Sequence, residues 1–306
     1  MRIGESIVLF FMRLFSLLPL KVHYALSAFL AFLIEKVFRY RREDVTVNLA
    51  RSFPELDAEE LKDIRHRFYR HLSDVIAESV WFGGCKGGRR LHDSHIVEIE
   101  GLEGLAAAHE AAPDIIVLMS HAGNWELYGG YAAYVYSDAP MPFNDSNVCI
   151  VYLRQSSRMW DSIMRRNRLA PMKDPDSFEG YLESRQVIRY ALEHKGEKKI
   201  YNFITDQYPY FGGTVPVRFM HQDTVSMKGA ADLARKTRAA VYYLSMPCEI
   251  RGHYKLRYLP IVDDASTVST EYIMGEYYRL LERDLEAQPW NYLWSHRRWK
   301  HPVNNT

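Results

Sequence analysis

Cysteine is scarce in this sequence: the 306 residues include only three, Cys85, Cys149 and Cys248. No two of them are close in sequence and no Cys-x-x-Cys pair occurs, which argues against a zinc knuckle or a redox motif. An odd number of separated thiols is typical of a reducing, cytoplasm-facing compartment. We therefore expect three buried thiols that take no part in chemistry.

Several short catalytic signatures are also missing. There is no His-Glu-x-x-His metal motif, no phosphate-binding loop and no Gly-x-Gly-x-x-Gly turn, so we expect neither a metal ion nor a nucleotide cofactor. No Gly-x-Ser-x-Gly elbow surrounds Ser120 or Ser226, so a covalent intermediate on either serine is not favoured. The formal net charge of +1 argues against a nucleic-acid-binding protein.

The longest apolar runs lie near the N-terminus, at residues 7–20 and 22–34. A spanning helix needs about 20 apolar residues, so we predict two short helices that lie in a cytoplasm-facing membrane surface or dip into one leaflet. The alternatives are one spanning helix, a signal peptide, or a helix pair packed on the protein's own core. In the membrane-surface interpretation, Arg39, Arg41 and Arg42 fall where anionic head groups would hold them.

The rest of the sequence alternates between strand-like and helix-like segments. Residues 43–56 are interpreted as a polar connector, after which Asp57 and Glu60 form a capping pattern for an amphipathic helix that runs to about Trp81. Strands are predicted at 95–100, 115–119, 148–153, 200–204, 239–246 and 254–259, and helices at 102–111, 125–136, 157–168, 184–194, 227–237 and 270–287. This alternation predicts an α/β fold with a mostly parallel central sheet flanked by helices.

One segment carries the candidate chemistry: IIVLMSHAGNWE, residues 115–126. A buried strand leads to His121, a glycine-containing turn follows, and a helical pattern begins at Trp125. Ligands of such sheets bind at the carboxyl ends of the strands, where His121 is placed. On one continuous helix His121 and Glu126 would point about 140° apart, but a loop followed by a first helical turn allows the two side chains to meet.

Such a pair could act as a general base. Glu126 would accept the proton on one nitrogen of His121 and leave the other nitrogen free to take a proton. Gly123 would permit a tight turn, and the N-terminus of the new helix would offer N–H groups to a developing negative charge. The alternative is a hydrogen-bonded core histidine beside a solvent-facing glutamate.

The segment SHAGNWE resembles the His-x-x-x-x-Asp/Glu motif of glycerolipid acyltransferases, and it is most similar to the lipid A biosynthesis (late) acyltransferases and their lysophospholipid acyltransferase relatives. Further segments resemble conserved blocks of that family in the same order: RREDVTVNLARSFPEL, ITDQYP, MKGAADLARKTRAAVYYLSMPCEIRGHYKLRYLP and WNYLWSHRRWK. The likeness covers nearly the whole chain.

The resemblance implies a glycerolipid-acyltransferase-like fold, with a membrane-associating helical segment at 1–42 and an acyltransferase domain at 43–306. It implies transfer of a fatty acyl chain from a thioester of acyl carrier protein or coenzyme A to a hydroxyl of a lipid A precursor or related glycolipid. The implied location is the cytoplasmic face of a bacterial inner membrane, without a cofactor beyond the thioester. The alternatives are another acceptor (a lysophospholipid, an amino-acid lipid or a glycosylated inositol lipid) or a non-catalytic lipid-binding protein.

The resemblance also assigns residues. His121 would be the base and Glu126 its partner, and Arg154 resembles the arginine that would hold the thioester oxyanion or an acceptor phosphate. The family's Tyr-Arg-Pro is not reproduced around Arg154, so Arg158 could substitute. The other residues expected to bind substrate are Gly123, Asn124, Asp206, Gln207, Arg297, Arg298 and Lys300. The alternative for Asp206 is a turn-capping role, and the alternative for the last three residues is a solvated basic tail.

Overall fold

The computed structural model of the chain describes residues 3–136, 141–209 and 212–299. The strands in this part of the chain are β1 (Val97–Glu100), β2 (Ile115–Met119), β3 (Val148–Tyr152), β4 (Tyr181–Glu183), β5 (Ile200–Ile204), β6 (Thr214–Phe219), β7 (Gln222–Met227), β8 (Ala240–Ser245), β9 (Cys248–Ile250) and β10 (His253–Val262). The α-helices are α1 (Ile3–Ser16), α2 (Leu20–Phe32), α3 (Arg42–Ser52), α4 (Ala58–Phe82), α5 (Arg89–His92), α6 (Leu102–Ala111), α7 (Arg158–Arg168), α8 (Val187–Glu193), α9 (Gly229–Thr237) and α10 (Thr270–Ala287). A π-helical turn, Leu33–Val37, follows α2, and 3₁₀ helices form at Trp125–Ala133 and Ala265–Thr267.

Seven strands form the main sheet, in the order β1-β10-β8-β2-β5-β3-β4, with β9 paired to β10. The five strands from β8 to β4 run parallel to one another, and β10 runs antiparallel to β8. The predicted mostly parallel α/β sheet is therefore confirmed. Strands β6 and β7 form a separate antiparallel hairpin.

Strand β2 lies at the centre of the sheet and contributes to two cores. Ile116 and Leu118 pack on one face with α9 and α10, whereas Ile115, Val117 and Met119 pack on the other face with α6 and the first 3₁₀ helix. Because successive strand residues point to opposite faces, a strand covered on both sides must be apolar throughout. That requirement explains the continuous run that identified this strand in the sequence.

Helix α4 also forms as predicted. The Asp57 carboxylate accepts hydrogen bonds from the backbone N–H groups of Glu59 and Glu60, and the Glu60 side chain accepts one from the N–H of Asp57. This reciprocal capping box satisfies N–H groups that the first helical turn leaves without partners.

One predicted segment is wrong, and another forms a helix of a different kind over a shorter range. Residues 43–56 are not a connector, because α3 forms there with Val45 and Leu49 buried and with Asn48 hydrogen-bonded to C-terminal carbonyl groups. The helix predicted at 125–136 forms as a 3₁₀ helix over Trp125–Ala133, and Gly129 within it packs directly against the Arg168 carbonyl group. Both departures depend on contacts with distant parts of the chain.

Helices α1 and α2 expose much of their apolar surface. Phe10 and Phe29 are each 62% exposed, and Leu17, between the two helices, is 71% exposed. The opposite side of α2 packs on α4 through His23, Ser27 and Ala31. No described helix is by itself long and apolar enough to cross a membrane, although the bent pair Ser6–Ser16 and Leu20–Val37, at 118° to each other, meets the length and composition requirement together.

The C-terminal segment after α10 packs back onto the domain. The Arg298 guanidinium is fully buried and donates hydrogen bonds to the Thr224 hydroxyl (2.8 Å), the Val225 carbonyl oxygen (2.7 Å) and the Tyr278 hydroxyl (2.9 Å). Arg298 therefore ties the chain end to the β6–β7 hairpin and α10. The expectation that Arg298 contacts a substrate phosphate is wrong, because the side chain has no exposed surface to offer.

We predict that Arg298→Ala lowers the free energy of unfolding by about 2–4 kcal/mol, because Thr224 and Tyr278 lose a partner in a buried site. Urea denaturation of the full chain measures this, with Arg279→Ala, an exposed residue of α10, as the control. An unchanged unfolding midpoint would refute a structural role for Arg298.

Candidate active site

The candidate site forms where β2 and β5 end side by side. The two strands pair in parallel, with Met119 opposite Ile204, and the N–H of Thr205 donates to the Met119 carbonyl oxygen just beyond the last pair. His121 follows β2 by two residues and Asp206 follows β5 by two residues. Parallel pairing therefore brings together two side chains that are 85 positions apart in the sequence.

Both imidazole nitrogens of His121 have a partner. Nδ1 lies 2.8 Å from Asp206 Oδ1, and Nε2 lies 3.2 Å from the side-chain nitrogen of Gln207. A carboxylate can only accept and an amide nitrogen can only donate, so the proton of the neutral ring lies on Nδ1 and the Nε2 lone pair faces Gln207. His121 is thus held in the tautomer that presents Nε2 as a base.

Asp206 is almost completely buried. Burial raises the pKa of its carboxyl group, but the charge and hydrogen bonds of His121 outweigh that effect and hold the pKa below its ordinary value. The carboxyl group is therefore ionised at neutral pH and can stabilise an imidazolium ion next to it. Asp206 and Gln207, which were expected to bind substrate, both contact His121, and their role in substrate binding stays a prediction.

The expected hydrogen bond between His121 and Glu126 is not formed, which corrects the sequence interpretation. Glu126 instead makes a bidentate ion pair with Arg168, with Nε–Oε2 at 2.7 Å and Nη2–Oε1 at 2.6 Å. Glu126 reaches His121 only through Trp125, whose indole N–H donates to Glu126 Oε1 (3.1 Å) and whose ring lies edge-on to the imidazole at 4.8 Å.

Arg168 was not among the predicted site residues. It is the last residue of α7, and its pKa is raised because hydrogen bonds and charge from Glu126 outweigh the opposing effect of burial. A bidentate arginine–carboxylate pair is geometrically specific, so this pair fixes the 3₁₀ helix that follows the His121 loop. A basic last turn, RRNR, is common at helix C-termini and carries no signal of this role.

The loop between His121 and Trp125 is held from both sides. Gly123 has φ +69°, and a Cβ atom there would collide with the Met246 carbonyl oxygen. The Gly123 N–H donates to the Asn291 side chain (3.0 Å), and its carbonyl oxygen accepts from Nε2 of His71 (3.2 Å). Only glycine fits this conformation and this close approach.

Asn124 is buried and serves the protein rather than a ligand. Its side-chain oxygen accepts from the N–H of Glu126 (3.2 Å), and its nitrogen donates to Glu78 (2.7 Å). The substrate-binding roles expected for Gly123 and Asn124 therefore find no support, because both residues shape the loop. The N–H groups of Gly123 and Glu126 are likewise occupied, so they do not form the expected oxyanion site.

Glu78 on α4 connects this loop to the N-terminal helices. Its fully buried carboxylate accepts hydrogen bonds from Asn124, from the Tyr24 hydroxyl of α2 (2.8 Å) and from the Tyr254 hydroxyl (2.8 Å). Burial raises the pKa of Glu78 to about 7, although the three hydrogen bonds favour its ionised form. The residue lies in the interior of a long helix and gives no short-range sequence signal.

The two arginines expected to hold substrate lie further along the sheet edge. Arg154 follows β3, two strands from β2 and therefore roughly 10 Å away. Its side chain is 70% exposed and lies 3.7 Å from Asp161. Arg158 is exposed on the first turn of α7. Neither residue contacts His121, and their roles stay predictions.

The C-terminal segment borders the site. Nε2 of His296 accepts a hydrogen bond from the N–H of Tyr208 (3.2 Å), and burial lowers the pKa of His296 to about 4, so this ring is neutral. Arg297 lies at the surface in an ion pair with Asp44 (2.9 Å). Lys300, also expected to bind substrate, lies outside the described residues.

The three cysteines are buried, as predicted, and burial raises the pKa of each thiol to about 12. Within 3–136, 141–209 and 212–299, no group of three or more His, Cys, Asp or Glu side chains is arranged to hold a metal ion. At the sheet edge the structure brings together an oriented imidazole, a carboxylate and an amide.

A histidine oriented by a buried carboxylate at the carboxyl edge of a parallel sheet defines a site suited to general-base catalysis. The model of the family described as bacterial lipid A biosynthesis acyltransferase matches residues 1–301. The chain belongs to this family, as its motifs predicted, and the family supports an acyltransferase with a lipid acceptor and an acyl donor in general. A comparison with curated proteins found no match.

We predict that Glu78→Gln changes how stability depends on pH. The fold raises the pKa of Glu78 from its ordinary 4.5 to about 7, so the native state binds the proton more tightly than the unfolded state. Glu78 therefore costs stability as pH rises from 4.5 through 7, by on the order of 3 kcal/mol in total.

The Glu78→Gln variant has no carboxyl group to ionise at this position, so it does not lose this stability as pH rises. Urea unfolding at several pH values between 5 and 8 should show its stability rising relative to the unsubstituted chain as pH increases. His71 and His296 act in the opposite direction, because burial lowers their pKa and the stability of their neutral forms is lost as pH falls. Both chains contain these histidines, so the difference between the two chains cancels their contribution. A difference that stays constant over this range would contradict the assignment.

Proposed function

We propose that this protein transfers a fatty acyl chain from a thioester to a hydroxyl group of a lipid A precursor or related membrane glycolipid, with His121 as the general base. The observation that carries the proposal is the hydrogen bond of 2.8 Å between His121 Nδ1 and the buried Asp206 carboxylate. The family match supports the class of reaction. The thioester donor, on acyl carrier protein or coenzyme A, and the glycolipid acceptor belong to the proposal.

In the proposed reaction the acceptor hydroxyl replaces the Gln207 amide at Nε2 of His121. The hydroxyl oxygen attacks the thioester carbonyl carbon while Nε2 takes the hydroxyl proton. Asp206 stabilises the resulting imidazolium ion. Collapse of the tetrahedral intermediate breaks the carbon–sulfur bond, and the thiolate leaves with the proton that His121 returns.

The Gln207 amide nitrogen lies 3.2 Å from Nε2 of His121 and is therefore close to the place where the hydroxyl would react. We propose that it donates a hydrogen bond to the developing oxyanion. Arg154 and Arg158, on the same edge of the sheet, are proposed to meet a charged part of the donor or the acceptor. Glu126 acts indirectly, since its pair with Arg168 holds the 3₁₀ helix and Trp125 against His121.

We predict that His121→Ala lowers kcat by about 10²–10⁴-fold, which is the usual contribution of a general base. Asp206→Asn should lower kcat substantially with little change in KM, because the ring loses its orienting carboxylate. The assay incubates a labelled acyl thioester with lipid acceptors and identifies the ester by mass spectrometry. Donor hydrolysis without a new ester would contradict transfer, and no donor turnover would favour a lipid-binding protein.

Glu126→Gln is the matched variant that separates the two carboxylates. It should lower the unfolding temperature through loss of the Arg168 pair, whereas Asp206→Asn should show its main effect on kcat, measured well below the unfolding temperature of that variant. Glu126 would be the catalytic partner if its variant lost kcat without loss of stability while Asp206→Asn kept full activity. Product masses from lysophospholipid, amino-acid-lipid and inositol-lipid acceptors distinguish the other acceptors.

We further propose that α1 and α2 associate with the cytoplasmic face of a bacterial inner membrane. Exposed phenylalanines cover the outer surface of both helices, among them Phe10, Phe11, Phe29 and Phe32. Contiguous exposed apolar surface of this kind is typical of membrane or protein contacts. Arg39, Arg41 and Arg42, the basic residues expected at anionic head groups, follow α2 and its π-helical turn, and their contact with such head groups belongs to this proposal.

Replacing Phe10, Phe11, Phe29 and Phe32 together with serine should move most of the chain from the membrane fraction to the soluble fraction. Each buried phenylalanine contributes about 1.5–3 kcal/mol to such association. Ile188→Ser with Leu192→Ser is the control, because both residues are exposed on α8, at 52% and 68%. Equal membrane recovery of the two variants would argue against this surface.

A further inference from the structure

A cavity whose lining includes His71, the partner of the Gly123 carbonyl group, lies beside the His121 loop, and neither His121 nor Asp206 lines it. Its volume is about 270 Å³, and it opens between α4, the β9–β10 hairpin and the segment after α10. The residues that matter for its chemistry are Arg67, Arg70, His71, Asp74, Arg251 and Trp290. The proposed acyl transfer at His121 makes no use of this cavity.

The charges around the cavity are unbalanced. Both acidic residues of its lining are already paired: Asp74 makes a bidentate ion pair with Arg251 (2.6 and 2.9 Å), and Glu249 pairs with Lys255 (3.0 Å). Arg67 and Arg70 have no carboxylate within ion-pair distance among the residues that the structure describes. Two guanidinium groups without a counter-charge at a cavity mouth favour an anionic ligand.

The arrangement of these arginines favours a phosphate. Arg67 and Arg70 lie on the same side of α4, three residues apart. The Arg67 guanidinium is placed over the Trp290 ring, 5.1 Å from its centre, which leaves its N–H edge available. Planar guanidinium groups bind phosphate oxygens in pairs of parallel hydrogen bonds.

Helix α2 contacts two residues of the cavity lining, Arg251 and Gly252. Arg251 donates to the Tyr24 carbonyl oxygen (3.0 Å) and to the Ser27 hydroxyl (2.8 Å), and Gly252 packs against the Tyr24 ring. The outer surface of α2 is apolar and exposed. A ligand with a phosphate in the cavity and hydrocarbon chains beside α2 would match both surfaces.

The back wall of the cavity is joined to the His121 loop. His71 lines the cavity and donates to the Gly123 carbonyl oxygen (3.2 Å), and its ring lies edge-on to Trp290 at 5.1 Å. The next residue, Asn291, accepts a hydrogen bond from the Gly123 N–H. An occupant of the cavity would therefore lie against His71, which holds the Gly123 carbonyl group, and against Trp290, the neighbour of the Asn291 that holds the Gly123 N–H.

We propose that this cavity is a binding site for the phosphate group of a lipid, with Arg67 and Arg70 as its ligands and Trp290 as its wall. The phosphate comes either from the lipid acceptor or from a bilayer phospholipid, and the chemistry of recognition is the same. The site does not depend on acyl transfer at His121, so binding can be measured without turnover.

The test is native mass spectrometry of the full chain, purified in a phosphate-free sugar detergent and mixed with phosphatidylglycerol, phosphatidylcholine or diacylglycerol. We expect one phosphatidylglycerol to be retained per chain, and no diacylglycerol. Arg67→Gln with Arg70→Gln should weaken retention about tenfold or more, because charge-assisted hydrogen bonds to the phosphate are lost. Arg67→Lys with Arg70→Lys keeps the charge without the guanidinium plane and should retain an intermediate amount.

The matched control is Arg235→Gln with Lys236→Gln, which removes two exposed charges of α9 and should leave retention unchanged. Circular dichroism checks that each variant is folded. Equal losses in the two double variants, or equal retention of diacylglycerol, would overturn the site. Competition between phosphatidylglycerol and a phosphorylated disaccharide lipid then identifies the source of the phosphate, since the tighter ligand is the occupant.

Discussion

The candidate chemistry depends on the parallel pairing of β2 with β5. This pairing ends both strands at the same edge, so that His121 and Asp206 emerge within hydrogen-bonding distance of each other. The pairing is specified by apolar residues that are buried on both faces of the sheet. A one-residue slip in register would point every side chain of β2 to the opposite core and would separate the imidazole from its carboxylate.

Around this pair, the two ends of the chain enclose the His121 loop. Helix α3 holds the C-terminal segment through Asn48, which donates to the carbonyl oxygens of Trp294 and His296. That segment in turn supplies Asn291 to Gly123 and His296 to Tyr208. The segments that resemble the family around α3 and after α10 therefore pack together as one structural unit beside the site.

Two buried carboxylates, Asp74 and Glu78, lie between α2 and the loop. Tyr24, Glu78 and Asn124 form a continuous chain of hydrogen bonds, and Ser27, Asp74 and Arg251 form a second chain beside it. Such networks rigidify a structure when every member is satisfied. Through them, the position of the apolar helix α2 is coupled to the loop that carries His121, and the Arg67–Arg70 cavity lies on the same route.

Local patterns in the sequence determined the elements whose residues interact with near neighbours. The capping box of α4, the apolar run of β2 and the alternation of strands and helices depend on periodicity and on contacts within a few residues, and each formed as predicted. His121 was identified because its strand–glycine–helix context is local. The partners of His121 and Glu126 were decided by tertiary structure alone, because Asp206 and Arg168 reach them across 85 and 42 positions. No spacing within SHAGNWE distinguishes a glutamate that pairs with histidine from one that pairs with an arginine on another helix, since an ion pair selects the nearest opposite charge in space and that distance exists only once the sheet has formed.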